Sequence, residues 1–379
     1  MDIKRYAFDY LLKTINYKLT RHGFGQPVNP VTLTYSVTAM CQSRCKTCRI
    51  GEKFLKDPLR AKNDLTLDEI EKIFKSMGHV WFFNISGGEP FMRNDLPQIV
   101  ALACEHLTPG VLHTPTNAFL PEKIGRQTEE ICQIIQAYDP GVPFTIKPSI
   151  DGVGVLHDDI RGLKGNFDRL LQTVEILKEL AQRYPQLHVE LGTVISNFNK
   201  QHLAEIEDFV HSLGVESYRN EIAERRSEFF NAADPITPDA DTYEELIATF
   251  ARKIRANIAK KRRLARITES LRLVYYDLAI RILRENRQVI PCYAGISNAH
   301  INYDGEVWTC CVHGYDRPLG FLRASDYDFQ KIWHSRQARD MRAYIAAKNC
   351  ACPVANQVYS NIIFNWAQLV KAGWTWLRM

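Results

Sequence analysis

Between Val31 and Glu221 the sequence alternates short β-branched or apolar runs with longer amphipathic segments, and few folds accept that order. Repeated strand–helix units of this kind build a parallel sheet, because parallel neighbours need a long crossover between them. The runs predict strands at Thr32–Thr38, Trp81–Ile85, Val111–Thr114, Phe144–Ile150, His188–Ile195 and Glu216–Asn220, with helices at Leu67–Met77, Phe167–Arg183 and His202–Leu213. Helix starts carry their own signals: Thr66 precedes Asp68 and Glu69, and Asn166 precedes the apolar repeat of Phe167, Leu170, Leu171, Val174 and Leu177. Six such units predict an α/β chain, a partial (β/α)6 barrel over residues 31–235. An amphipathic extension (1–30) precedes it. After Pro235 long helical patterns form a basic connector (236–290), and after Pro291 short strands and cysteines form a small α+β unit (291–360), followed by an aromatic tail (361–379).

The chain has 379 residues and is 45% hydrophobic, enough to bury a full core. No run approaches the roughly 18 apolar residues needed to span a bilayer, and charges interrupt the N-terminal segment where a signal peptide needs an apolar block. A reducing cytoplasm is therefore the expected location, and there ten cysteines point to metal or redox chemistry rather than to disulfides. The net charge of +5 is mild and no nucleic acid partner is expected. It is unevenly placed: Arg252 to Arg272 contains nine Lys and Arg and one acid, Glu269. That stretch reads either as a solvated helix face or as a docking surface for an acidic partner, a phosphorylated substrate or an anionic membrane.

Cys41, Cys45 and Cys48 form a C-x3-C-x2-C run that starts as the first strand ends. Loops after parallel strands make the face where a barrel assembles its chemistry, so the cluster sits where a cofactor meets a substrate. Three thiolates hold three irons of a cubane cluster and leave the fourth iron open to bind something else. The competing reading is a structural zinc site, which takes four ligands, and no fourth Cys or His follows before His79.

This spacing after a first strand resembles the radical S-adenosylmethionine (SAM) superfamily. The likeness extends to Ser86-Gly87-Gly88-Glu89-Pro90, similar to the family's GGEP motif. Read physically, Gly87 and Gly88 allow a close backbone approach and Glu89 offers acceptors to an ammonium. The resemblance implies that Cys41, Cys45 and Cys48 hold a 4Fe-4S cluster, that SAM chelates its open iron, and that Gly87, Gly88 and Glu89 hold SAM's amino group. Reductive cleavage would then yield a 5′-deoxyadenosyl radical that takes hydrogen from a substrate. Pro148-Ser149-Ile150-Asp151-Gly152, with His157, Arg161 and Gly165-Asn166-Phe167, resembles the fourth-strand segment facing SAM's carboxylate or ribose, with Ser149 as the chosen contact. In the fifth strand Gly192 and Thr193 take the place under the adenine or ribose. Two positions depart from the pattern: Thr47 where an aromatic residue often stands before the third cysteine, and Ala118 in place of the glycine of Thr-Asn-Gly.

Cys292, Cys310, Cys311, Cys350 and Cys352 gather in the last quarter, and Asp304-Gly305 between apolar alternations predicts a β-hairpin that folds Cys292 and Cys310 together. Four thiolates there suffice for one further cluster, and a zinc ribbon is the alternative. The C-x12-G-x4-C run and the close pair after a helix from Gln337 to Lys348 resemble the twitch domain, the shorter relative of the SPASM domain. That likeness implies one auxiliary 4Fe-4S cluster on Cys292, Cys310, Cys350 and Cys352, with Cys311 able to replace Cys310. Cys104 and Cys132 lie singly in helical patterns and read as core thiols.

The tail from Ile362 is rich in Trp and aliphatic residues and should be covered, by the barrel, a partner or a membrane interface. The combined expectation is a radical SAM oxidoreductase, reduced by a flavodoxin or ferredoxin, that performs oxidative or cross-linking modification of a peptide-like substrate. A lipid-linked or sugar-like small molecule is the alternative substrate, with peripheral membrane contact. A non-catalytic metal-cluster scaffold is the competitor from another class.

Overall fold

A computed structural model describes residues 3–215, 217–260 and 263–377. Strands β1 (Thr32–Ser36), β2 (Phe82–Ser86), β3 (Val111–Thr116), β4 (Phe144–Pro148), β5 (Leu187–Ile195) and β6 (Ser217–Ile222) pair in sequence order, all parallel, with helices on the crossovers. This is the expected partial barrel, open between its edges. Along each strand the side chains alternate between two environments. Leu33, Tyr35, Phe83, Ile85, Leu112, Phe144 and Ile146 are buried against helix residues such as Ile70, Ile73 and Phe74. The opposite face is polar: Asn84 donates to Thr34 (3.3 Å) and meets His113 (2.7 Å), Lys147 pairs with Glu221 (2.9 Å) and Arg219 with Glu190 (3.0 Å). The lumen is therefore built for water and polar ligands, not for packing.

The hairpin predicted at Asp304-Gly305 forms from β7 (Asn298–Ile301) and β8 (Glu306–Trp308), and β9 (Gly320–Phe321) follows. β7 pairs in parallel with β1, from Thr32 opposite Asn298 to Tyr35 opposite Ile301, so one nine-stranded sheet runs from the barrel into the cysteine-rich unit. The junction carries further ties. Arg323, just after β9, pairs with Glu69 at 2.7 Å, and Glu69 also closes the capping box of the helix Leu67–Met77 on Thr66.

Asn166 is not the cap expected of it. It lies inside the helix Asn166–Arg183, whose cap is Gly165 in the left-handed region, and its buried amide instead donates to the Asn117 carbonyl at 2.9 Å. The connector is a pair of long helices, Ala240–Asn257 and Arg263–Glu285, and the tail is the helix Trp366–Leu377, which buries Ala372 in the same cluster as Tyr275 and Leu278 of that connector. Of the basic stretch, Lys261 and Arg262 lie outside the described residues, as does Glu216 of the sixth predicted strand.

Candidate SAM and iron–sulfur sites

The C-terminal ends of the parallel strands all open on one rim. From β1 the chain runs into the cysteine loop, and from β2 into Gly87-Gly88-Glu89, and the two loops interlock. The Gly88 amide donates to the Thr38 carbonyl (3.0 Å) and the Glu89 amide to the Met40 carbonyl (2.7 Å). A Cβ on Gly88 would lie 2.1 Å from the Met40 oxygen, and one on Gly87, at φ +120°, 2.7 Å from the Thr38 oxygen. The glycines thus serve the contact between two loops as much as an approach to a ligand, a role that spacing alone does not reveal.

Glu89 is fully buried. Its carboxylate accepts from the Thr116 hydroxyl (2.8 Å) and from the amides of Asn117 (2.6 Å) and Phe91 (3.2 Å). Burial raises its pKa, and those donors with the Arg161 charge work against the rise. Two carboxylate oxygens offer about four lone pairs, so an acceptor remains for an ammonium group. Asn117 braces the cysteine loop from the other side, donating to Ser43 Oγ (3.0 Å) and accepting from Gln42 (3.3 Å). The β6 loop supplies a third brace: the Arg49 amide donates to the Phe229 carbonyl and Asn231 donates to that of Thr47.

Cys41, Cys45 and Cys48 share this loop and one another's fields. Burial pushes the Cys41 thiol up to about 12, with Cys45 and Glu89 adding to it, and Cys48 rises for the same reason with Cys45 and Cys41 close by. Such crowded thiols ionise together only around a compensating cation, as an iron cluster provides. Arg161, on the helix Val155–Arg161, is the nearby cation. It donates to Asp151 at 3.0 Å, and although burial opposes its charge, Cys45, Asp151 and Cys41 keep it protonated. Its Nε is buried with no partner among the described residues. An orphaned guanidinium N–H beside Cys41 and Cys45 suits an anionic ligand, so the donor set fits a cluster with SAM's carboxylate alongside.

The remaining expected contacts are arranged less simply. The Ser149 amide donates to the Thr116 carbonyl, and Ser149 bridges to Gly192 of β5, which brings these two positions together. A Cβ on Gly192 would meet the Lys147 side chain at 2.9 Å. The Thr193 hydroxyl is buried, donating to the Ile150 carbonyl (2.5 Å) and accepting from Tyr218 (2.9 Å), so it has no proton left to donate to a ligand.

In the second set, Cys292, Cys310, Cys350 and Cys352 lie within one another's electrostatic reach. Burial pushes Cys292 up to about 12, with Cys310 and Cys350 as neighbouring charges, and Cys352 lies in the fields of Glu224, Cys292 and Cys310. Gln288 donates to Cys350 Sγ at 3.4 Å, and Asn361 fixes the backbone after Cys292 by accepting from the Tyr293 amide (2.9 Å). Cys311 lies in the fields of Arg226 and Glu228 ahead of that of Cys310. Among the described residues no three His, Cys, Asp or Glu side chains, in either cysteine set, stand as ligands of one metal ion.

Motif spacing alone does not single out the Arg226–Glu228 segment. Glu228 is on the wall of two adjoining clefts. One, lined by Ser36, Thr38, Gly87, Gly88 and Tyr303, opens on the SAM loop; the other is lined by Asn84, Arg226, His300, Cys310, Cys311 and Cys352. Burial raises Glu228 to about 7, with Arg226, Ser36 and Cys311 opposing. His300 is lowered to about 3 by burial and by Arg226, so its 3.8 Å approach to Glu228 is a neutral contact rather than an ion pair; its Nε2 meets Ser36 Oγ at 2.8 Å.

The rim, its loop of three thiols and its second set of four fit the class of an iron–sulfur α/β barrel with an auxiliary cluster module. Comparison with known proteins agrees. Residues 35–210 match the radical SAM superfamily and residues 292–353 the SPASM iron–sulfur cluster-binding domain. The chain belongs to the radical SAM superfamily, whose members use SAM and a 4Fe-4S cluster, and its SPASM module implies auxiliary iron–sulfur binding. It is similar to the mycofactocin maturase MftC of Mycolicibacterium smegmatis, 25% identical over 85% of this chain and 75% of the relative. An AdoMet-dependent heme synthase of Oleidesulfovibrio alaskensis is 24% identical over 80% of this chain and 74% of its own. The fold resembles that of Streptococcus suis SuiB in a crystal structure with the precursor peptide SuiA, at 16% identity, TM-score 0.59, and coverage of 89% of this chain and 71% of that one.

Proposed function

We propose that this radical SAM enzyme performs oxidative or cross-linking modification of a peptide-like substrate. When bound, SAM with its cluster supplies hydrogen-atom abstraction and the auxiliary cluster supplies an electron acceptor. The chain's own residues do the rest. Cys41, Cys45 and Cys48 hold the first cluster; Gly87, Gly88 and Glu89 orient SAM's amino group, Arg161 and Ser149 its carboxylate side, and Gly192 and Thr193 its nucleoside side. Cys292, Cys310, Cys350 and Cys352 hold the second. The observation that carries the reading is the shared wall of the two clefts. Glu228 touches both, so a substrate seated there meets the SAM loop and the auxiliary cysteines together, with a carboxylate at hand to take a proton.

A peptide-like substrate is supported by the likeness to a maturase and to an enzyme solved with a precursor peptide. The likeness to heme synthases favours a second reading, a small molecule in the same cleft. The test uses protein made without oxygen, loaded with iron and sulfide, and reduced by flavodoxin or ferredoxin. It should convert SAM to 5′-deoxyadenosine, and Cys45→Ala should stop this. Metal binding with SAM left intact would mark a scaffold instead. Acceleration by candidate peptides or by small molecules then separates the two substrate classes.

A further inference from the structure

Seventeen large hydrophobic side chains are exposed among the described residues, and ten of them fall within residues 11–28 and 363–374. That concentration is far beyond the scattered exposure of an ordinary surface. On the helix Ile3–Arg21, Leu11, Leu12, Ile15 and Leu19 lie at spacings of one, four and eight, which places them in a single stripe about a quarter of the way around the helix. Thr14, Tyr17 and Thr20 of the same helix are buried. On the helix Trp366–Leu377, Trp366, Val370 and Trp374 form a second stripe at four-residue steps, while Ala372 is buried.

The stripes adjoin. The Lys18 ammonium stands 4.9 Å over the Trp366 ring, the Tyr10 hydroxyl donates to the Ile363 carbonyl (2.6 Å), and Tyr10 and Tyr17 pack on Phe364. The chain's two terminal segments thus present one apolar face, with a cation where they meet. Residues 1–30 and 361–379 together contain seven Lys and Arg and two Asp; of these Asp9 accepts from the Trp81 indole and Lys371 pairs with Asp277 at 2.8 Å.

We propose that this face docks on the interfacial zone of an anionic lipid bilayer. Leucines and tryptophans on in-plane helices, flanked by lysine and arginine, match an interface that is apolar below and negatively charged above. No helix among the described residues is long and apolar enough to cross a membrane, so the contact lies in the plane. A second copy of the chain fits less well, because a symmetric pairing would set the cations of one copy against those of the other.

The test uses the full, cluster-loaded chain, floated with vesicles of phosphatidylcholine alone or mixed with phosphatidylglycerol. The protein should rise with the phosphatidylglycerol vesicles, much less with phosphatidylcholine, and added salt should release it. The double variants Leu12→Glu with Leu19→Glu, and Trp366→Gln with Trp374→Gln, should each weaken binding by about tenfold or more while iron–sulfur absorbance and circular dichroism stay unchanged. Flotation with neither vesicle, equal flotation with both, or unchanged binding by both variants would overturn the proposal. So would a vesicle-free dimer that the leucine variant dissociates, since the face would then be covered by a second copy.

Discussion

Arg161 and Asp151 form a 3.0 Å ion pair at the rim of the barrel, and the second Asp151 oxygen accepts from the Val194 amide of β5 at 2.9 Å. The guanidinium is thereby pinned beside Cys41 and Cys45 while its Nε stays without a partner. Arg161→Lys keeps the charge but loses the fork, so SAM affinity should fall roughly tenfold, the cost of one charged hydrogen bond. Equilibrium dialysis against SAM at unchanged iron content measures this.

The interlocked loops give a second expectation. Gly88→Ala puts a methyl 2.1 Å from the Met40 oxygen, where only backbone can yield. Iron incorporation at the three-cysteine site should drop severely, and the variant should lose about 2 kcal/mol or more of stability by strain at a tight backbone contact. Iron content and thermal unfolding report the two effects.

The auxiliary set can be tested by paired substitutions. Cys310→Ser should remove one cluster's iron and sulfide, because Cys310 lies among Cys292, Cys350 and Cys352. Cys311→Ser should leave that content unchanged, since this thiol lies in the fields of Arg226 and Glu228 ahead of that of Cys310.

Glu228→Gln keeps the shape of the shared wall and removes the proton acceptor. Substrate modification should fall by about 10²-fold or more, within the range of general-base effects. Formation of 5′-deoxyadenosine should fall much less. Equal loss of both would assign Glu228 to SAM binding instead.

A pH-dependent expectation concerns the junction of barrel and auxiliary unit. The Arg323 guanidinium, with the Thr66 amide and Tyr327, lowers the Glu69 carboxyl from 4.5 to about 2 against the effect of its partial burial. A depressed acid contributes stability above its unfolded value and loses it as pH falls through the folded one. Arg323→Ala should therefore cost about 1–2 kcal/mol near neutrality, allowing for screening at the surface. The difference between variant and parent in urea unfolding should shrink as pH falls from about 4.5 toward 2.

Much of this architecture was legible in the sequence because barrel strands obey a local rule: one face packs on helices, the other lines a lumen. Strand limits moved by one or two residues where the last residues left the ladder to become rim loops, as at Val37 and Thr38 after β1. The cysteine spacing pointed to both proposed cluster sites. Less legible were relationships between loops. Nothing local in Gly-Gly-Glu-Pro tells that the glycines fit against Met40 and Thr38, and Thr193 reads as an open hydroxyl until Tyr218 and Ile150 are placed beside it. Glu228 escaped notice because an Arg-Arg-Ser-Glu stretch has no periodicity or motif; only the fold brings it between two clefts. Asn166 looked like a helix cap and is a brace for Asn117, because the tertiary partner outcompeted the local one.

The pairing of β1 with β7 has a bearing on how the chain matures. Thr32 finds Asn298 only after most of the polypeptide has been made, so until then the first strand presents a raw edge to whatever else is nearby. Aggregation of nascent chains through that edge should be the main hazard in producing this protein, and truncations that stop before β7 should be recovered chiefly as insoluble material.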